Sequence, residues 1–232
     1  MLVYFALALS IIMTVSFIVF QTLRDGVLSF VLKMFASVCF IVLGIAGYAT
    51  SVGMGLGSSA IGLLMLGGAC FGMVGDGVLA LRELEDKRDF FITLCGMIAF
   101  AIGHIFYYTA LILLAGFSFL PLVIGAIITS LIMIVSTLVM KLNFEKLFIP
   151  TIVYAFMLAT TMVQAIYVAI VLGGSLASIL LAVGFVLFLL SDLVLSLIYF
   201  IPQNRGDKKL YVINYTLYYL AQILIMFAIF FL

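Results

Sequence analysis

The chain has 232 residues, of which 68% are hydrophobic and only 8% charged, whereas soluble domains carry about 25% charged residues. Ten basic against nine acidic side chains leave a net charge of +1 with no basic stripe, so a soluble fold and a nucleic-acid partner are both set aside. A helix needs about 20 apolar residues to cross the hydrocarbon core, and a chain of this length and character has room for roughly eight crossings joined by short loops.

Apolar runs between polar breaks place the spans near residues 2–21, 28–49, 58–81, 90–115, 118–140, 148–171, 176–201 and 210–232. The expected architecture is therefore all-α: one polytopic transmembrane domain over residues 1–232, a single bundle of eight helices. The first span lacks the basic start and small-residue cleavage site of a signal peptide, so it reads as a retained helix. Pro121 and Pro150 fall in the opening turns of the fifth and sixth spans, where a missing N–H costs little, and Pro202 stands where the seventh stops.

The basic residues set the orientation. Arg24 and Lys33 flank the first connection, Arg82, Lys87 and Arg88 fill the third, Lys141 and Lys146 the fifth, and Arg205, Lys208 and Lys209 the seventh. The even connections and both termini carry none. The positive-inside rule then puts the odd-numbered loops in the cytoplasm and both termini on the non-cytoplasmic side of a cell membrane. Cys39, Cys70 and Cys95 are odd in number, far apart and set in apolar runs, which suggests packing rather than a disulfide or a metal site.

Seven of the nine acidic residues lie in or beside the odd loops: Asp25, Glu83, Glu85, Asp86, Asp89, Glu145 and Asp207. Asp76 and Asp192 do not. They fall inside the third and seventh spans, where an unpaired charge near the bilayer centre costs about 2.5–3.5 kcal/mol on insertion scales. Helical spacing points each of them inward. Gly68, Gly72 and Asp76 share a face of small residues that admits a neighbouring helix, and Gly184, Phe188, Asp192 and Ser196 repeat the same four-residue step. Gly96, Phe100, His104 and Tyr107 do so in the fourth span, and Tyr211, Tyr215, Tyr218 and Gln222 form a polar seam in the eighth. Counting about 1.5 Å per residue, Asp76, Asp192, Gln222 and His104 lie progressively deeper from the cytoplasmic ends of their spans, with Lys33 near the mouth.

Hydrolase elbows, zinc-binding HExxH helices and phosphate loops are all missing, and one histidine excludes a three-histidine zinc site. No metal or organic cofactor is expected. Composition and spacing end at a membrane protein with a buried two-carboxylate cavity, open to three readings: an enzyme, a proton-coupled transporter or a lipid-binding protein.

In order along the chain, these polar stretches resemble the lysoplasmalogenase, or YhhN, family of membrane proteins. Lys33 resembles that family's second-span lysine, although Met34 stands where a proline commonly follows it. GACFGMVGDGVLAL (68–81) is similar to its glycine-rich third span, and GMIAFAIGHIFYY (96–108) to its Gly-x-x-x-Phe-x-x-x-His-x-x-Tyr element. GFVLFLLSDLVLSL (184–197) resembles its Ser-Asp element, and YYLAQILI (218–225) its final Tyr-x-x-x-Gln element. The resemblance implies hydrolysis of the vinyl-ether bond of lysoplasmalogen, a lysophospholipid taken from the membrane lipid, to a fatty aldehyde and a glycerophospho-base. Asp76 and Asp192 would then be the catalytic acid and carboxylate, in either order. His104, Tyr107, Tyr218 and Gln222 would orient water or substrate, and Lys33 would suit the lipid phosphate.

Overall fold

The structure, a computed structural model, describes residues 1–23, 27–55, 58–83 and 89–232. Arg24, Asp25, Glu85, Asp86, Lys87 and Arg88, assigned above to the odd loops, lie outside the described residues.

Among the described residues eight helices are long and apolar enough to cross a membrane, and no strand occurs. They are α1 (Leu2–Leu23), α2 (Val27–Gly53), α3 (Ser59–Ala80), α4 (Asp89–Ala115), α5 (Leu120–Ile134), α6 (Phe148–Val171), α7 (Leu176–Phe200) and α8 (Lys208–Ala228). These agree with the apolar runs to within a few residues at most ends, because in lipid the backbone must satisfy its own hydrogen bonds and a hydrophobic run has little alternative to a helix. α5 passes without a break into a π-helical segment, Val135–Val139, which carries the span to the length that hydropathy requires.

Local chemistry sets the ends. Gly116 closes α4 in the left-handed region (φ 82°) while its N–H donates to the Ile112 carbonyl at 2.7 Å, as helix C-termini favour. The Ser175 side chain caps α7 by accepting from the Ser178 N–H, and Asp207 caps α8 by accepting from the Lys209 N–H at 2.9 Å.

α2, α3, α4, α6, α7 and α8 pack each against the next in a closed ring, with α3 also touching α8 across it. α1 lies outside against α2 and α8, and α5 lies outside against α6. Close approach of α3 and α4 depends on small residues: a Cβ on Gly103 would stand 2.9 Å from the Gly68 carbonyl oxygen. The outward faces are apolar, as on α5, where Val123, Ile127, Leu131 and Ile134 are all more than half exposed. Only Cys39 is buried among the cysteines. Cys70 and Cys95, expected in packed positions, sit on outward faces, where an apolar side chain is as comfortable against lipid as against protein.

Candidate functional site

The ring surrounds a cavity of about 110 Å³ that opens to one side of the bundle. Its walls come from the start of α2, α4, α6 and α8 and the end of α3, α5 and α7, so it occupies the half of the bundle facing the odd-numbered connections. The lining is mostly apolar and aromatic. Asp76 and Asp192 both line it, from α3 and α7, and so do Lys33 of α2 and Tyr218 of α8.

The small-residue face of α3 decides where Asp76 points. Gly68 and Gly75 leave room only for the rings of Tyr107 and Phe100, and Gly72 for the Gln222 amide, so this face is turned into the bundle with Asp76 on it. Asp76 is 3% exposed and well supplied with partners. Ser37 Oγ donates to its Oδ2 at 2.7 Å and Tyr218 OH donates to the same oxygen at 2.8 Å. Lys33 Nζ stands 3.9 Å from Oδ1 and 5.2 Å from the centre of the Tyr215 ring, which gives the ammonium an anion on one side and a π-face on the other.

Asp192 is placed differently. It is partly exposed to the cavity, and among the described residues its hydrogen-bond donor is the hydroxyl of Tyr154 on α6. No cation stands within ion-pair distance of it among the described residues. One residue back on α7, Ser191 is locked to α8 by Asn214, whose Nδ2 donates to the Ser191 carbonyl at 2.8 Å and to its Oγ at 3.1 Å. That contact fixes the rotation of α7 and hence the direction of Asp192.

Behind the wall runs a hydrogen-bond chain. Tyr107 OH donates to Gln222 Oε1 at 3.1 Å, Gln222 Nε2 donates to Tyr218 OH at 3.3 Å, and Tyr218 donates to Asp76. Tyr107 and Gln222 thus reach Asp76 through Tyr218 and do not line the cavity. Neither does His104. It is 1% exposed and ringed by Tyr107, Tyr154, Phe185 and Phe188 at centroid distances of 4.9–6.3 Å. Its two nitrogens have no hydrogen-bond partner among the described residues. Of the seven residues singled out in the sequence, four line the cavity, two support one of those four, and His104 backs onto the wall through the Tyr154 ring.

Several participants were not apparent in the sequence. Tyr154 and Thr151 stand on α6, a helix with no charged residue within its span; their spacing of three residues, continued by Leu158, marks the inward face only in retrospect. Ser37 was findable, lying four residues beyond Lys33 on the same face of α2. Tyr199, at the end of α7, lines the cavity with the Arg82 guanidinium 3.7 Å above its ring. No group of three or more metal-ligating side chains occurs among the described residues.

A sequence model described as the YhhN family matches residues 28–229, most of the chain. The chain belongs to the YhhN family. This is the lysoplasmalogenase family, and the matched stretch includes every side chain described above at the cavity. No curated protein and no solved structure gives a significant match. A YhhN-family protein built as a membrane helical bundle fits a lysoplasmalogenase, and hydrolase chemistry is consistent with that family.

Proposed function

We propose that this protein is a membrane-embedded hydrolase that cleaves the vinyl-ether bond of lysoplasmalogen-type lysophospholipids by acid and carboxylate catalysis. The observation that carries this reading is that two carboxyl groups from distant parts of the chain line one largely apolar cavity in unlike surroundings. Asp76 accepts from two hydroxyls and sits beside an ammonium, all of which favour a carboxylate. Among the described residues Asp192 has one hydroxyl donor and no cation within ion-pair distance, which suits it to hold a proton.

The chemistry follows from that difference. Asp192 delivers its proton to the vinyl-ether carbon remote from the oxygen, a C–H bond forms, and the π electrons leave an oxocarbenium ion. The Asp76 carboxylate steadies that cation. Water adds to the oxocarbenium carbon and gives up a proton to the Asp192 carboxylate, which restores the acid. The hemiacetal then collapses: its hydroxyl loses a proton as the C=O bond forms, the C–O bond to glycerol breaks, the glycerol oxygen takes up a proton in exchange, and the products are a fatty aldehyde and a glycerophospho-base. None of these three steps needs a metal or an organic cofactor. Tyr154 stabilises the anion that Asp192 becomes, and Tyr218, held by Gln222 and Tyr107, keeps Asp76 in place.

A single fatty chain would lie along the aromatic wall of Phe100, Phe144 and Phe200. The cavity faces the odd-numbered connections, which the positive-inside rule assigns to the cytoplasm, so the substrate would be drawn from the inner leaflet of the cell membrane. A proton-coupled carrier is supported less well. The path from Tyr107 to Asp76 passes through the Gln222 amide, which orients its neighbours but does not pass protons along as hydroxyls and carboxyls do. Aldehyde release from lysoplasmalogen by the purified protein tests the proposal: Asp76→Asn and Asp192→Asn, each still folded, are expected to abolish it. Full activity in both variants would overturn it.

A further inference from the structure

The proposed reaction leaves one question of recognition open. A lysophospholipid carries a phosphate, and Lys33, the cation deepest in the cavity mouth, already stands 3.9 Å from Asp76. Spending its charge on a phosphate would strip Asp76 of its counter-ion in a site that is 3% exposed.

A second cationic group stands at the rim. Arg82, in the turn after α3, makes a two-point contact with Asp89 at the start of α4 through Nε and through Nη2, the latter at 2.9 Å. Arg205, in the connection before α8, reaches the same carboxylate, with Nη2 donating to Oδ2 at 3.1 Å. Two guanidiniums therefore share one carboxylate, and both of its oxygens are occupied. Among the described residues the pair carries one positive charge more than the Asp89 carboxylate balances. Its two members differ in freedom: the Arg82 side chain is 13% exposed, while that of Arg205 is 56% exposed. The second of these has most of its donors without a partner among the described residues, in a fork that matches phosphate oxygens.

The group is attached to the cavity. Arg82 lies over the ring of Tyr199, and Thr93 Oγ1 donates to Asp89 Oδ1 at 3.4 Å; Tyr199 and Thr93 are both cavity wall. The spacing is also apt. Tyr199 follows Asp192 by seven residues on α7, nearly two turns, so the two project on the same side about 10 Å apart along the axis. In a lysoplasmalogen five bonds separate the vinyl-ether oxygen from phosphorus, about 6 Å when extended. Adding a hydrogen-bond length of about 3 Å at each end gives a span of about 12 Å.

We infer that Arg205, braced by Arg82 through Asp89, binds the phosphate of a single-chain phospholipid whose ether bond lies at Asp192. This rests on the hydrolytic reading for the placement of the ether bond. Recognition of the phosphate itself is a matter of binding and is measured apart from it.

The probe is a saturated alkyl-ether analogue of lysophosphatidylcholine, which has no vinyl carbon to protonate, compared with the corresponding alkylglycerol, which lacks the phosphate. Binding of each to the full-length protein in non-ionic detergent is measured by thermophoresis. The wild type is expected to prefer the phosphate-bearing probe. Arg205→Gln, a change at a half-exposed position, is expected to cut that preference about tenfold, the size of one charge-assisted hydrogen bond, while leaving alkylglycerol binding unchanged. Arg205→Lys should keep part of it. A preference unaltered by Arg205→Gln overturns the assignment, and so does displacement of the probe by inorganic phosphate at the probe's own concentration, because the site would then take free phosphate. Neither probe is a substrate, so failure here leaves aldehyde release untouched, and absence of aldehyde release leaves this result standing.

Discussion

Replacing Tyr154 with Phe removes one oxygen atom and nothing else. The ring remains packed against His104 at 6.1 Å, so the aromatic wall between α4 and α6 keeps its shape. What is lost is the hydroxyl that donates to Asp192 Oδ2, the group's hydrogen-bond donor among the described residues. On the proposed mechanism that contact joins two neutral groups before the reaction and contributes about 1 kcal/mol. Once Asp192 has passed its proton to the vinyl-ether carbon, the same hydroxyl faces a carboxylate in a low-dielectric wall, where hydrogen bonds to charged groups contribute about 1.5–3 kcal/mol. Only the increase, about 0.5–2 kcal/mol, acts on the barrier, because an interaction equally strong in both states leaves kcat alone. At about 1.4 kcal/mol per factor of ten, kcat for aldehyde release should fall by between roughly twofold and thirtyfold, with KM little changed. The assay is steady-state aldehyde production by wild type and Tyr154→Phe at matched protein fold, judged by thermal unfolding in detergent. An unchanged kcat, or a drop carried by KM, would refute Asp192 as the acid.

Lys33→Met is expected to destabilise the protein by about 3 kcal/mol, because it leaves the Asp76 carboxylate buried without its ammonium; the double variant Lys33→Met with Asp76→Asn should recover most of that loss in thermal unfolding. Gly103→Ala drives a methyl to 2.9 Å from the Gly68 carbonyl oxygen and should cost about 1–3 kcal/mol by prising α3 from α4, read as a lowered Tm with activity lost in proportion. Single cysteines at Lys209 and Gly173 test the orientation. In intact cells an impermeant thiol reagent should label the position in the sixth connection, at Gly173, and spare the one at Lys209 until the membrane is opened.

The architecture was legible because the bilayer allows few choices. An apolar run with its backbone bonds unsatisfied has almost no solution in lipid other than a helix, so hydropathy and the ten basic residues were enough to give the span count. The inward faces of α3 and α8 were legible for a related reason: glycines at four-residue spacing and a seam of tyrosines ending in Gln222 have no cause to face lipid. What pattern did not reveal was pairing across helices. Tyr154 is an unremarkable tyrosine until α6 is rotated against α7 and its hydroxyl meets Asp192. The role of Asp89 was hidden likewise, since the two arginines that share it come from connections more than a hundred residues apart. For His104 the pattern gave the face but not the depth: its four-residue step from Phe100 put it on the inward side of α4, and the aromatic rings around it set it behind the cavity wall.

The central claim is that a carboxyl lining the cavity protonates carbon, and the product records whether it did. Lysoplasmalogen hydrolysed in heavy water, with the aldehyde reduced to its alcohol as it forms, should carry a single deuterium on the carbon next to the former carbonyl, and Asp192→Asn and Asp76→Asn should yield no such product. An aldehyde released without deuterium at that carbon, or released equally by both variants, contradicts the account.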